Sequence, residues 1–373
     1  MHYRRPSSKR AQGLNKIEGP TVTIELKNSR NPEKPLAWAD FLRSTSIFLV
    51  IVIHTAAPLA YQWEDISRTD WMVGNFFNSF SRVSVPVLFM ISGFLLLGKQ
   101  QSISAFYRKR FRKVLIPLFF WSVVYLIWEN GYRDFTFVNA VKAIVYAIIT
   151  APASYHMWYL YELLPIYLFV PLIRVFVRSA ERIHLWYFAG IWFLFGPVKD
   201  ILENLLDIHF AIDLGFFTGY IGFFIIGHLL GAIDISARIA RIAGAVYALA
   251  GIYTVYATYT LSSNAGDYVQ YYYWYTRINI VLMSFAAFIL LKWVGTNLLN
   301  EWATRFFRQF AGASFGIYLV HVLVLVTLKR NEVSAFSGPA LFTVPAVSLL
   351  VLLIAWMIVA IIQRIPLLRE IAP

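Results

Sequence analysis

Cysteine is absent from this 373-residue chain, and charge is scarce, with Asp, Glu, Lys and Arg together making up 14%. Without cysteine there are no disulfides, no thiolate nucleophile and no Cys-ligated zinc. A soluble protein of this length carries more charge, whereas here 59% of residues are hydrophobic and 17% aromatic. Composition therefore excludes a soluble globular enzyme and indicates a polytopic membrane protein. The opening run M-H-Y-R-R-P-S-S-K-R leads into polar sequence rather than an apolar h-region, so no cleavable signal peptide is expected. No repeat of fixed period is visible, and no soluble domain is expected after the last apolar segment.

What is present is a series of apolar segments of span length. Ten are expected, at 37–59, 74–98, 114–130, 155–176, 184–199, 215–233, 242–261, 277–295, 310–328 and 342–363. A shorter run at 137–151 reads as an amphipathic or re-entrant piece. Residues 1–36 are polar and rich in Lys, Arg, Pro, Ser and Asn, as expected of a partly disordered cytoplasmic tail. The expected organisation is that tail, a membrane domain over 37–363 and a short cytoplasmic tail at 364–373. With the N-terminus inside, 22 Lys and Arg fall on the cytoplasmic side and 5 in outer loops. That bias supports N-in, C-in topology. It also accounts for the net charge of +13 without nucleic acid as a partner. The fold class expected is an all-α transmembrane bundle of about ten spans.

Within the first span, in D-F-L-R-S-T-S-I-F-L-V-I-V-I-H, Arg43 and His54 lie eleven residues apart. Eleven residues is about three helical turns, so the two side chains share a face and are separated by ~16 Å along the axis. A full charge and an imidazole are costly in hydrocarbon, which makes both functional candidates. One helix thus offers a fixed cation at one depth and a titratable base further on, which suits a long anionic donor with a distant reactive end. The plainer alternatives are an Arg43 snorkelling to the interface with Asp40, three residues earlier, and a His54 bonded to a neighbouring helix.

Further polar residues gather towards the outer half: Arg82 in S-F-S-R-V-S-V-P, Glu129, and His156 and Glu162 in H-M-W-Y-L-Y-E-L-L-P. With His54 they line a water-filled vestibule on one reading. On the other, Arg82 and Glu162 form a structural ion pair. Trp158, Tyr159 and Tyr161 read as aromatic-belt anchors or as walls of a sugar site. His321, in S-F-G-I-Y-L-V-H, reads first as a packing histidine, and His228 similarly. The loop A-F-Y-R-K-R-F-R-K-V-L-I-P holds Arg108, Lys109, Arg110, Arg112 and Lys113 within six residues. It serves as a topogenic and lipid-contacting signal, as a docking site for phosphates, or as both.

At these residues the chain resembles the acyltransferase family 3 membrane proteins, which acylate sugars of surface polysaccharides, glycolipids and peptidoglycan. The Arg43–His54 spacing, the block S-R-V-S-V-P-V-L-F-M-I-S-G-F-L-L with Ser92 and Gly93, the basic loop before Pro117, H-M-W-Y-L-Y, and S-F-G-I-Y-L-V-H follow the family order. The second block and the size are most similar to stand-alone O-acetyltransferases of the enterobacterial-common-antigen type. One departure is that many members carry two arginines three apart just before the inner-loop proline, whereas here the spacing is Arg108, Arg110, Arg112 and Lys113, with Val114 three before Pro117. The resemblance implies a bacterial inner-membrane enzyme with acetyl-CoA or another acyl-CoA as co-substrate, a sugar or lipid-linked glycan as acceptor, and no bound cofactor or metal. It further implies His54 as general base, Arg43 and the loop residues Arg108, Arg110 and Arg112 towards the donor, and Tyr318, His321 or Ser92 towards the oxyanion. An acetylated His54 is the less favoured variant. The rival readings are an exporter and a non-catalytic assembly partner, the latter of which should tolerate an isosteric Gln at His54.

Overall fold

The computed structural model describes residues 36–130, 142, 146 and 150–373, with no strand among them. The expected tail and nearly all of the 137–151 run lie outside the described residues, as does the Glu129 side chain. The principal helices are α1 Ala37–Ala60, α2 Arg68–Ser81, α3 Ser84–Leu97, α4 Ile103–Arg110 and α5 Ile116–Asn130. They continue with α6 Trp158–Ser179, α7 Arg182–Phe193, α8 Lys199–Leu205, α9 Ile221–Gly231, α10 Ala237–Ala265, α11 Ile278–Asn297, α12 Glu301–Arg330 and α13 Ala340–Arg364. Helix starts carry the side chains that cap free backbone N–H groups: Ser67 accepts from Asp70 N, Ser102 from Ala105 N, Ser236 from Ile239 N and Asn300 from Ala303 N. Helix α10 stops at Gly266, whose φ of 71° is the left-handed conformation that glycine enters without strain.

Nine of the helical stretches among the described residues are long and apolar enough to cross a membrane. The remaining expected span, 215–233, is different. Its helix α9 covers only Ile221–Gly231, and Phe223, Phe224, Ile225 and Ile226 are all buried. A helix that is apolar all round and buried all round belongs to the protein interior rather than to lipid. Its glycines let α3 approach closely: a Cβ on Gly227 would sit 2.1 Å from Met90 O, and one on Gly93 1.7 Å from Phe224 O. The second expected span is also corrected. It begins at Arg68 and breaks at Arg82–Val83 into α2 and α3.

Helix α1 is the centre of the bundle, packing against α2, α3, α11, α12 and α13. Leu42, Ile51 and Ala56 on it are fully buried. Buried cations elsewhere are satisfied by helix C-termini, where carbonyl oxygens and the helix dipole favour positive charge. Lys292 Nζ on α11 donates to Leu230 O (3.1 Å), Gly231 O (2.8 Å) and Ile233 O (2.5 Å) at the end of α9. Arg174 Nε on α6 donates to Leu96 O at the end of α3, 2.9 Å away. The segment after α13 folds back onto the bundle, with Trp121 Nε1 donating to Ile371 O (2.8 Å).

Candidate functional site

Two cavities enter the bundle, and α1 borders both. The first encloses about 340 Å³ and takes Arg43, Ser92, Lys99, Lys109, Arg110, Lys113, Tyr159, Tyr167 and Tyr318 into its wall, with no acidic side chain. It is called the basic cavity. The second encloses about 710 Å³ and is lined by His54, Arg82, Glu162 and Lys329 with Tyr155, Trp158, Tyr220, Tyr273, Trp274 and Tyr275. It is called the aromatic cavity. No lining residue is shared. The eleven-residue spacing thus places Arg43 and His54 in different chambers.

In the basic cavity, Arg43 comes from α1, Lys109 and Arg110 from α4, and Lys113 from a π turn at Phe111–Leu115 that joins α4 to α5. Among the described residues no carboxylate lies within 4.0 Å of Arg43, so the Asp40 partner considered above is not formed. Arg110 faces the ring of Tyr167 at 5.5 Å, and its Nε has no hydrogen-bond partner. Burial, followed by the neighbouring Lys109, Arg110, Arg174 and Arg43, pushes the Lys99 ammonium below its ordinary pKa. The chamber is a concentration of cations with no acidic side chain in its wall.

Arg108 and Arg112 do not share it. Four residues apart and therefore on one helical face, they line a separate open recess of about 650 Å³ with Arg369 and Glu370. Lys109 and Lys113 border both spaces. Of the three loop arginines named from sequence, only Arg110 meets Arg43 in one cavity. Ser92 also lies on this side, and so does Tyr159, which the sequence grouped with the outer aromatics. Its neighbour Trp158 faces the aromatic cavity, because consecutive helical residues point about 100° apart.

On the aromatic side, His54 is half-buried, with its ring 5.1 Å from Tyr155 and 5.2 Å from His321. His156 lies behind it, buried, 5.1 Å from His321. It is a packing neighbour rather than a cavity-lining residue, contrary to the vestibule reading. His321 Nδ1 stands 2.6 Å from Tyr318 O. A carbonyl only accepts, so Nδ1 carries the proton and Nε2 keeps its lone pair, with no hydrogen-bond partner. The Tyr318 hydroxyl donates to His156 O. Tyr318 thus faces the basic cavity, His54 faces the aromatic one, and His321 packs between them, 5.9 Å and 5.2 Å away by ring centroids. One layer of side chains separates the chambers.

Arg82 and Glu162 line the aromatic cavity, yet among the described residues they make no ion pair within 4.0 Å. Arg82 instead lies over Tyr273 at 4.5 Å. Sequence reasoning missed Lys99, Tyr220 and the run Y-Y-Y-W-Y at 271–275. The aromatic density of that run, just ahead of a span, was the available signal. Among the described residues no group of three or more His, Cys, Asp or Glu is arranged to hold a metal.

Such a pair of chambers can hold a polyanion on one side, a ring-faced neutral or polar molecule on the other, and an imidazole at their boundary. A family model described as an acyltransferase domain matches residues 36–362. No curated protein and no solved structure gives a significant match. The chain belongs to acyltransferase family 3 and is a multi-pass membrane acyltransferase.

Proposed function

We propose that the protein moves an acetyl or similar acyl group from acyl-CoA in the basic cavity to a sugar hydroxyl in the aromatic cavity. The observation that carries this reading is the assignment of Arg43 and His54, on one face of α1, to two separate chambers. Arg43, Arg110, Lys99, Lys109 and Lys113 suit the phosphates of a coenzyme A, since guanidinium forks and ammonium groups bind phosphate oxygens strongly. The pantetheine arm then carries the thioester past Tyr159 and Tyr318 towards His54. Trp158, Tyr220 and Tyr275 offer flat apolar faces to a sugar ring.

In the transfer, His54 takes the proton of the acceptor hydroxyl, and the hydroxyl oxygen bonds to the thioester carbonyl carbon. The C–S bond breaks, the acyl group stays on the sugar oxygen, and the coenzyme A thiolate leaves and takes up the proton. Among the described residues His54 donates no hydrogen bond to a carboxylate, as a base that must be neutral requires. The basic cavity faces the cytoplasm in this reading, and the protein sits in a bacterial inner membrane. The acceptor is a surface polysaccharide or a lipid-linked sugar. The sequence likeness to the enterobacterial-common-antigen type of O-acetyltransferase supports that choice.

The test is the acyl content of the surface glycan in a deletion strain complemented with wild type, His54→Ala or Arg43→Ala, at matched membrane levels. Acylation restored by wild type and lost in both variants is expected. Normal acylation with His54→Ala removes the base and leaves an exporter or an assembly role.

A further inference from the structure

Among the described residues seven Lys and Arg side chains are not exposed: Arg43, Arg82, Arg110, Arg174, Lys199, Arg277 and Lys292. Four have their charge met by the protein. Arg174 and Lys292 donate to carbonyls at helix ends, Lys199 pairs with Glu203 at 3.6 Å, and Arg277 pairs with Asp200. The other three, Arg43, Arg110 and Arg82, have no carboxylate within 4.0 Å, and each lines a cavity. The fold therefore neutralises its buried cations except where they face open space. In the basic cavity the missing anion is the phosphate of the donor. Arg82 presents the same feature on the opposite side.

Its setting is built to hold a guanidinium while leaving donors free. Arg82 sits at the break between α2 and α3, so its side chain is carried by two helix ends. The guanidinium lies 4.5 Å from the Tyr273 ring centroid and 5.7 Å from that of Tyr275, and it is within hydrogen-bonding reach of the Tyr275 hydroxyl. Stacking uses the flat faces of the group, and its in-plane N–H donors remain for a planar or tetrahedral anion. Tyr275 in turn stacks on Trp158, with centroids 5.5 Å apart at 25°. An anion on Arg82 would lie beside a ring-binding platform and in the chamber that His54 lines. Lys329 adds a second cation to that chamber.

We infer that Arg82 recognises an anionic group on the acceptor, so that the enzyme acylates a negatively charged glycan rather than a neutral one. This rests on the acyl-transfer reading above. The anion is either a carboxylate on the sugar or the phosphate that joins the glycan to a lipid carrier.

The probe is the unacylated surface glycan from a strain lacking the protein, offered with labelled acetyl-CoA to the purified full-length chain. It is used in three forms: untreated, carboxyl-reduced, and released from its lipid phosphate. Wild type is expected to show a KM about ten- to hundredfold lower for the untreated glycan than for one neutralised form. Which form suffers identifies the source of the anion. Arg82→Gln should raise the KM of the untreated glycan to that of the neutralised form and leave turnover of the neutralised form within about twofold. Arg82→Lys should recover part of the difference. Equal wild-type KM for all three forms overturns the inference while leaving acyl transfer intact. Loss of kcat by Arg82→Gln on every form assigns Arg82 to holding the helix break and also overturns it. Transfer to none of the forms removes the acyl-transfer reading itself, and the inference with it.

Discussion

In the proposed function Arg43 and His54 divide the work between charge and chemistry, and their substitutions should divide the kinetics in the same way. His54→Gln keeps the volume and removes the base. It should lower kcat by about 10²–10⁴-fold and leave coenzyme A affinity within a small factor, checked by acyl-transfer rates and by calorimetric titration of coenzyme A. Arg43→Gln should raise the KM for acyl-CoA by about tenfold or more, with a smaller effect on kcat. Lys99 gives a pH signature. Its pKa in the free protein is depressed by burial and by the surrounding cations, and bound phosphates would raise it again. Between the depressed value and lysine's usual ~10.4, binding takes up a proton, so coenzyme A affinity should fall as pH rises through that window. Titrations in two buffers of different ionisation enthalpy would detect the uptake, and Lys99→Met should abolish that component. At this scale the Arg43–His54 pair was legible because both residues sit on one helix, where spacing alone fixes direction. The separation of Trp158 from Tyr159, and of Arg110 from Arg108 and Arg112, was not, because facing depends on what each helix packs against.

Helix α9 shows what apolar sequence leaves open. Residues 215–233 hold a short buried helix rather than one of span length, because hydropathy cannot distinguish lipid from protein surroundings, and the glycines that reveal close packing are also common in membrane helices. Their spacing carries a prediction. A Cβ on Gly93 would meet the Phe224 carbonyl oxygen at 1.7 Å, and one on Gly227 the Met90 carbonyl at 2.1 Å. Backbone on both sides cannot yield cheaply, so Gly93→Ala and Gly227→Ala should each destabilise by at least ~1–3 kcal/mol and lower the thermal midpoint in detergent. Gly190→Ala is the control, since nothing lies within 4 Å of its added Cβ. It should leave the midpoint unchanged or slightly raised. The break at Arg82 had a signal in Pro86, which cannot donate to the Arg82 carbonyl four residues earlier and sits in the first turn of α3.

For the whole molecule, the all-helical bundle and the matched domain were legible from composition, span-length segments and motif order, while the two-chamber plan was not. That plan depends on which residues of several helices converge, and on Tyr273, Trp274 and Tyr275 lining the far chamber. The absence of native cysteine makes the sidedness testable. Gln100, exposed beside the basic cavity, and Gln270, exposed on the rim of the aromatic one, can each be changed to cysteine. In sealed membrane vesicles of known orientation, an impermeant maleimide should label Gln100→Cys from one side only, the cytoplasmic side on the proposed function, and Gln270→Cys only from the other.

The central claim is that donor and acceptor enter from opposite faces and meet across the Tyr318–His321 layer. The most direct measurement uses proteoliposomes whose orientation is read from Gln100→Cys labelling, with labelled acetyl-CoA on one side and unacylated glycan only on the other. Acetylated glycan forming across the sealed membrane, and vanishing with His54→Gln, is the predicted result. Transfer that occurs only when both substrates share one side would contradict the two-chamber account.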